Sequence, residues 1–336
     1  MDVINDPVTG FSIPPSWLER CSDPAALEKI RSGRYVLLSD GRLLRRGLTT
    51  GTTASAACKG AVLSLRGALE AVDVMTPAGL RVNMPVVARD GFCLAVKDGG
   101  EHGLDVTSGM EVVAEAIPSD STELVEGRGI GRIMRPGLCD EVGRPAISRS
   151  ARRQIMQAID EGLRVAGIGG ARVELRLPKG EELAERTLNP RMGIAGGISI
   201  LGSTGFVEPW NDHLLESRME ELRDEEKVVV TTGRCGLRYS RLLFPDHKAV
   251  LMGSGLERLS FQEGQESVLC GLPALILRWA WPEVLEGTGY GSVTEMAERE
   301  PGHRNIDLAL QRVKERLPET RVVLLYRDGR ILRDVR

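Results

Sequence analysis

GEELAERTLNPRMGIAGGISILGSTGFVEP, Gly180 to Pro209, is the stretch around which the rest of the chain is organised. It places Gly at 193, 196, 197, 202 and 205, with Ile194, Ile198, Ile200 and Leu201 between them. Gly tolerates positive φ and lets backbone approach backbone or ligand closely, so the segment reads as a chain doubling back beside a buried core. Exposed amides in such loops cradle anions. Tight strand-and-bulge packing in an α/β protein produces the same pattern, and composition alone leaves the two readings level. The spacing G-I-A-G-G-I-S-I-L-G is not the dinucleotide fingerprint G-x-G-x-x-G.

A length of 336 residues points to two domains, each with its own core. Hydrophobic residues at 42% and charged residues at 27% are those of a soluble globular protein. Aromatic residues make up only 4%, too few for a platform on which bases stack. A net charge of −3 gives no global field to hold nucleic acid or an anionic membrane. Neither partner is expected. Arg far outnumbers Lys, and guanidinium forks suit carboxylates and phosphates. The cysteines at 21, 58, 93, 139, 235 and 270 form no C-x-x-C pair and have no His at ligand spacing, so no metal site is expected. The opening MDVINDPVTGF lacks a basic region followed by an apolar run, and no apolar run has the length of a membrane span. The expectation is a cytoplasmic protein.

In chain order, residues 1–46 read as an N-terminal extension with two short helices and a hairpin turning at Asp40-Gly41. A second D-G hairpin, at Asp328-Gly329, closes the chain, and edge hairpins at both ends are compatible with a homodimer. Residues 47–65, GLTTGTTASAACKGAVLSL, read as a polar turn opening a buried helix with Ala57, Ala61 and Leu65 at helical spacing. Residues 71–96 read as an antiparallel meander and 111–117 as a strand. Gly127 to Arg132 is a glycine-spaced turn. Helices are expected over 150–166, Leu214–Glu226 and His303–Leu317. VVVTTG (228–233) and AVLMGSG (249–255) read as parallel strands of an open α/β sheet, ending in Gly as such strands end before their helices. The fold class is therefore α/β. Domain boundaries are placed at 47–215 and 216–336.

Three places carry the residue types of a site. Thr49, Thr50, Thr52 and Thr53 surround Gly51 at a helix start, where hydroxyls and amides suit an anion or a polar ligand edge. An N-cap on a core helix needs one of the four. Lys97 to Gly109, KDGGEHGLDVTSG, breaks the strand pattern and offers Asp98, Glu101, His102 and Asp105 for proton transfer or metal binding, with Asp98, His102 and Asp105 the candidates for a base. A solvated turn would look the same. In the C-terminal half, Gly233, Gly253 and Gly255 lie at strand ends, where ligands of open α/β sheets bind.

Taken together, R-G-L-T-T-G-T-T-A-S-A-A-C-K (46–59), K-D-G-G…D-V-T-S-G (97–109), G-R-G-I-G-R-I-M-R-P-G-L (127–138), G-R-P-A-I-S (143–148) and the 180–209 stretch resemble the CbiD family of cobalamin biosynthesis, the cobalt-precorrin-5B C1-methyltransferases. The likeness runs from about Arg46 to Trp210. It implies an α+β N-terminal domain and a Rossmann-like C-terminal domain. It also implies S-adenosylmethionine as methyl donor, with cobalt present only as part of the tetrapyrrole substrate. A substrate rich in carboxylates makes Arg128, Arg132, Arg135 and Arg191 candidate clamps. Gly196, Gly197, Ser203 and Thr204 would face the donor or the macrocycle, and Gly233, Gly253 and Gly255 the adenosine. The chain also departs from the family pattern. Gly51-Thr52-Thr53 stands for G-T-C, Glu101-His102 for two Asp and Ser108 for a His. The family's G-H-x-G-K stretch is replaced by Cys270-Gly271-Leu272-Pro273, and residues 1–46 lie outside the usual pattern. These departures leave open a divergent paralogue acting on another tetrapyrrole or small molecule, and a non-catalytic tetrapyrrole-binding protein.

Overall fold

The computed structural model describes residues 4–103, 105–135, 141–209, 225–253 and 255–336, with Arg191 and Arg258 described by backbone alone. Two compact units partition the chain. One comprises residues 27–36 and 44–210, the other residues 1–26, 37–43 and 211–336. The N-terminal elements are β1 (Ile4–Asn5), β2 (Ser12–Ile13), α1 (Pro15–Arg20), α2 (Ala26–Arg31), β3 (Tyr35–Leu37) and β4 (Leu43–Arg45). The expected hairpin is β3–β4. Its turn is set by Gly41 at φ +93° and by Asp40, whose carboxylate accepts the Arg42 amide at 3.0 Å.

The first of these units starts with β5 (Gly47–Leu48) and α3 (Thr50–Ser64), followed by β6 (Leu69–Met75), β7 (Arg81–Arg89), β8 (Phe92–Val96), β9 (Glu111–Pro118) and β10 (Glu123–Glu126). Then come β11 (Gly129–Ile130), β12 (Arg132–Ile133), α4 (Arg149–Ala166), β13 (Ala171–Arg176), α5 (Gly180–Ala184) and α6 (Asn189–Met192), with β14 (Ile194–Ala195), β15 (Gly197–Ile198) and β16 (Phe206–Val207). Six strands form one sheet in the order β10-β13-β9-β8-β7-β6. All neighbours are antiparallel except β10 and β13. The strict burial alternation of β7 is the period-two pattern of a sheet with one covered face.

The covering element is α3, the buried helix expected after the polar turn at Thr49. Every residue of α3 except Leu63 is buried, because it runs between the sheet and α4. Small side chains permit the close approach. A Cβ on Gly60 would lie 2.5 Å from Cys93 Sγ, and one on Gly51 2.9 Å from Ala151 Cβ. The outer helix α4 is conventionally amphipathic. Ser148 caps it by accepting the Ala151 amide, Gly167 ends it in the left-handed conformation at φ 62°, and its buried face includes Ile155, Ile159 and Leu163.

The other unit's sheet contains β17 (Lys227–Thr231), β18 (Lys248–Leu251), β19 (Glu266–Gly271), β20 (Arg321–Leu325) and β21 (Ile331–Val335). Its helices are α7 (Arg234–Leu243), α8 (Pro273–Ala280), α9 (Val293–Arg299) and α10 (Arg304–Arg316). The strand order is β18-β17-β19-β20-β21, parallel except for the last pair. This is a doubly wound arrangement. Val228, Val230, Leu269 and Val322 meet Ile276, Ile306 and Val313 in one core. On α7, Tyr239 stacks 5.6 Å from Phe11, which is itself 5.4 Å from Trp17. The N-terminal residues thus cover part of α7. Residues 266–271 supply β19 and residues 274–279 lie within α8. The helix expected over Leu214–Glu226 lies, apart from Glu225-Glu226, outside the described residues. No described helix is long and apolar enough to cross a membrane.

Ile159 is fully buried and Val165, on the same helix, is 76% exposed. Ile159→Ala is expected to lower unfolding stability by about 2–5 kcal/mol, and Val165→Ala by less than about 0.5 kcal/mol. Urea midpoints at constant m-value check both.

Candidate functional site

Three glycine-rich segments far apart in sequence converge at the start of α3. The Leu48 amide donates to the Asp98 carbonyl at 2.7 Å, the Thr49 amide to Gly205 at 3.1 Å and the Gly51 amide to Leu201 at 2.9 Å. Strand β5 pairs with β16, and Arg46 bridges Gly100. Glycine is required at the crossing: Gly100 has φ +66°, and a Cβ there would lie 2.3 Å from the Gly47 nitrogen. At the centre lies Arg46, with no exposed surface. Its Nε donates to Glu208 at 3.0 Å and its Nη1 to the carbonyls of Gly33 and Tyr35 at 3.2 and 3.3 Å. A buried guanidinium requires such partners.

The four threonines belong to this knot. Thr49 caps α3 by accepting the Thr52 amide at 3.2 Å. Thr50 donates to the Ser199 and Leu201 carbonyls at 3.3 Å and accepts the Leu201 amide at 2.8 Å. Thr52 donates to Gly205 at 2.9 Å and Thr53 to the Thr49 carbonyl at 3.0 Å. Thr52 and Thr53 have no exposed surface. The hydroxyls of Thr50 and Thr52 fasten the 199–205 loop to the helix start. Gln154 joins them, donating to Thr52 at 3.2 Å and to the Met75 carbonyl at 3.0 Å.

In the acidic loop the carboxylates are tied down. Asp98 pairs with the guanidinium groups of both Arg34 and Arg45 and accepts the Gly100 amide at 2.8 Å. Burial pushes its carboxyl upward, but the Gly100 amide and the two arginines more than offset this and hold it below the usual carboxylate range. Asp105 behaves likewise. Burial raises it, while the buried Lys97 ammonium and the Thr107 hydroxyl and amide bring it below its ordinary value. Such carboxylates anchor cations and are poor proton acceptors. Glu101 accepts the Arg45 amide at 2.6 Å. His102 differs, because its Nδ1 is buried and has no hydrogen-bond partner.

The remaining candidates separate. Arg128 is 74% exposed and forks onto Glu181, with both bonds at 3.1 Å. Arg132 on β12 donates to the Gly143 carbonyl at 3.0 Å. The alkyl stem of Arg135 lies where a Cβ on Gly193 would be. The side chain of Arg191 and residues 136–140 lie outside the described residues. Gly196, at φ +74°, has open space at its Cβ position, whereas a Cβ on Gly197 would lie 2.1 Å from the Gly129 carbonyl oxygen. Gly197 therefore serves the β11–β15 pairing, and Gly196 alone of the two borders open space. Ser203 is exposed, and Thr204 closes a local turn onto Phe206 at 3.3 Å. Sequence reading missed Asn189, which is buried. It donates to the Gly197 carbonyl and accepts from Ser199, both at 3.1 Å. Arg34, Arg45 and Lys97 were missed as well, and no spacing links them to their carboxylates.

In the parallel sheet, the loops after β17 and β18 lie at the same end, since Thr231 pairs with Leu251. Gly233 begins α7 without a side-chain cap, in extended backbone at φ −159°. Gly233 and Gly253 both have open space at their Cβ positions, and Gly255 meets only Met252 at 3.8 Å. Gly271 ends β19, and a Cβ there would lie 3.2 Å from Thr231 Oγ1 and 3.3 Å from Thr232 Oγ1. Thr231 Oγ1 is buried with no partner. The order β18-β17-β19 makes the ends of β17 and β19 the switch point, where chains leaving adjacent strands diverge and open a crevice.

Three comparisons bear on this arrangement. The CbiD family model matches residues 38–209. The cobalt-precorrin-5B C(1)-methyltransferase of Methanococcoides burtonii is 46% identical over 333 residues, 98% of each chain. That of Methanosarcina acetivorans is 45% identical over 332 residues, again 98% of each. The family model leaves out residues 1–37 and 210–336, in line with the expectation that 1–46 lie outside the usual pattern, whereas the two relatives match nearly the whole chain. A crystal structure of the cobalamin biosynthesis protein CbiD from Archaeoglobus fulgidus is 35% identical, with a TM-score of 0.57. It covers 96% of this chain and 100% of its own.

Because the folded carboxyls of Asp98 and Asp105 lie below their unfolded values, their stabilisation is complete above the unfolded pKa, about 3.9. It is lost as pH falls through the lower folded value. Asp105→Asn leaves Lys97, 3% exposed, without its counter-charge. The expected loss is about 3 kcal/mol at pH 7, together with a shallower fall in stability below about pH 4. Denaturation at pH 7 and in acid checks both.

Proposed function

The chain belongs to the CbiD family, and on that premise we propose that it transfers a methyl group to C1 of cobalt-precorrin-5B in cobalamin biosynthesis. The observation that carries the reading is identity near one half along 98% of both chains with a protein of that name. The paralogue and carrier alternatives rested on departures in the loops and the C-terminal half. Those regions lie within the match.

The donor we assign is S-adenosylmethionine, and we assign it to the switch-point crevice. Gly233 and Gly253 leave open space there, α7 starts there without a side-chain cap, and the Thr231 hydroxyl lacks a partner. These features fit an adenosine-bearing ligand with hydrogen-bonding edges. Bound, S-adenosylmethionine supplies an electrophilic methyl on sulfur, which departs as a neutral sulfide once the substrate carbon takes the methyl. The protein's part is to hold and orient, since alignment supplies much of the acceleration in such transfers.

Substrate binding is assigned to the convergent loops of the other unit. Arg34 and Arg45 share Asp98, and guanidinium groups held side by side in this way suit the carboxylate edges of a corrinoid. His102 is the imidazole of this loop, and we assign it to receive the proton that methylation releases. Arg132 and Gly196 border the same set of loops.

Gly233 offers a direct test. Its backbone is extended and its Cβ position is open, so Gly233→Val is expected to fold normally. Calorimetric titration of the wild type with S-adenosylmethionine should give micromolar affinity, about −8 kcal/mol. The variant should bind at least roughly tenfold more weakly, about 1.4 kcal/mol. Equal affinity would remove Gly233 from the donor site. Absence of binding by the wild type, or no methylated product from cobalt-precorrin-5B, would overturn the assignment of donor or of substrate.

A further inference from the structure

The six-stranded sheet is covered by α3 and α4 on one face. Its other face is open, and among charged side chains such as Arg89 and Glu115 it exposes apolar ones: Val87 is 66% exposed, Ile117 63%, Val96 48% and Phe92 39%. A contiguous patch of this kind on a soluble protein marks an interaction surface. Strand register arranges it in rows. Arg89, Phe92 and Glu115 form one row across β7, β8 and β9, Val87, Leu94 and Val113 the next, and Val96 pairs with Glu111 in the third. Arg89 and Glu115 thus stand level with each other on opposite sides of β8.

We propose that a second copy of this chain covers this face, related by a two-fold axis running along β8. Such a rotation lays β7 of one copy over β9 of the other. Arg89 then meets Glu115, whose carboxylate is also held by Arg176 of its own chain, twice, and Phe92, Leu94 and Val96 each meet their own counterparts. No charge in these rows meets its like. The self-complementarity argues for a second copy, because an isologous interface demands it of a single patch. Arg89 is also available: its ion pair within the chain is with the adjacent Asp90, at 80% and 83% side-chain exposure, a pairing that contributes little. Sheets stacked face to face through apolar rows, with strands nearly aligned, are a standard packing.

The solution mass of the full-length protein, by sedimentation velocity across the micromolar range, tests the inference. The expected result is a dimer. Val87→Glu changes an exposed side chain, leaves the fold intact, and should give a monomer. Arg89→Glu and Glu115→Arg should each weaken the dimer about tenfold, while the double variant regains most of that loss. A monomeric wild type, a dimer indifferent to Val87→Glu, or a double variant no tighter than either single one would each overturn the proposal.

Discussion

Arg46 is the constraint on which the convergent loops depend. A guanidinium with no exposed surface has surrendered its hydration and must recover that free energy from partners. It does so from Glu208 at the end of the glycine-rich stretch and from the carbonyls of Gly33 and Tyr35. One side chain thereby joins the residues before β5, the strand leading into α3 and the segment that closes over it. The neighbouring contacts follow from where Arg46 is held, and they are made backbone to backbone: Leu48 to Asp98, Thr49 to Gly205 and Gly51 to Leu201.

That closeness explains the glycines better than ligand contact does. Gly47 against Gly99, and Gly129 against Gly197, leave no room for a Cβ. Only where space opens, as at Gly196, Gly233 and Gly253, does a bare Cα offer itself to something outside the chain. The threonines around Gly51 follow suit, since the hydroxyls of Thr50, Thr52 and Thr53 are bonded within the chain.

Electrostatics at the acidic loop run in the same direction. Asp98 and Asp105 sit below the usual carboxylate range because cations and amides surround them. Their chemistry at neutral pH is to fix Arg34, Arg45 and Lys97 in place. The composition of the loop alone, with two Asp, a Glu and a His, suggests proton acceptors, because it does not show the cations that hold the two Asp.

The sequence by itself determined the periodic elements and the family. The alternation over β7, the amphipathic pattern of α4, the D-G turns and the apolar runs ending in Gly are local signals, carried by neighbours within a turn or a strand. Long motifs such as 46–59 and 180–209 are specific because many positions must agree at once. The roles within the site were decided only by tertiary structure. Adjacent glycines at 196 and 197 read alike in the chain, yet one faces open space and the other a carbonyl oxygen. Asp98 reads as a base until Arg34 and Arg45, 64 and 53 residues away, close upon it. The physical reason is that backbone propensity acts over a few residues, whereas desolvation, ion pairing and steric exclusion depend on which distant segments the fold brings into contact.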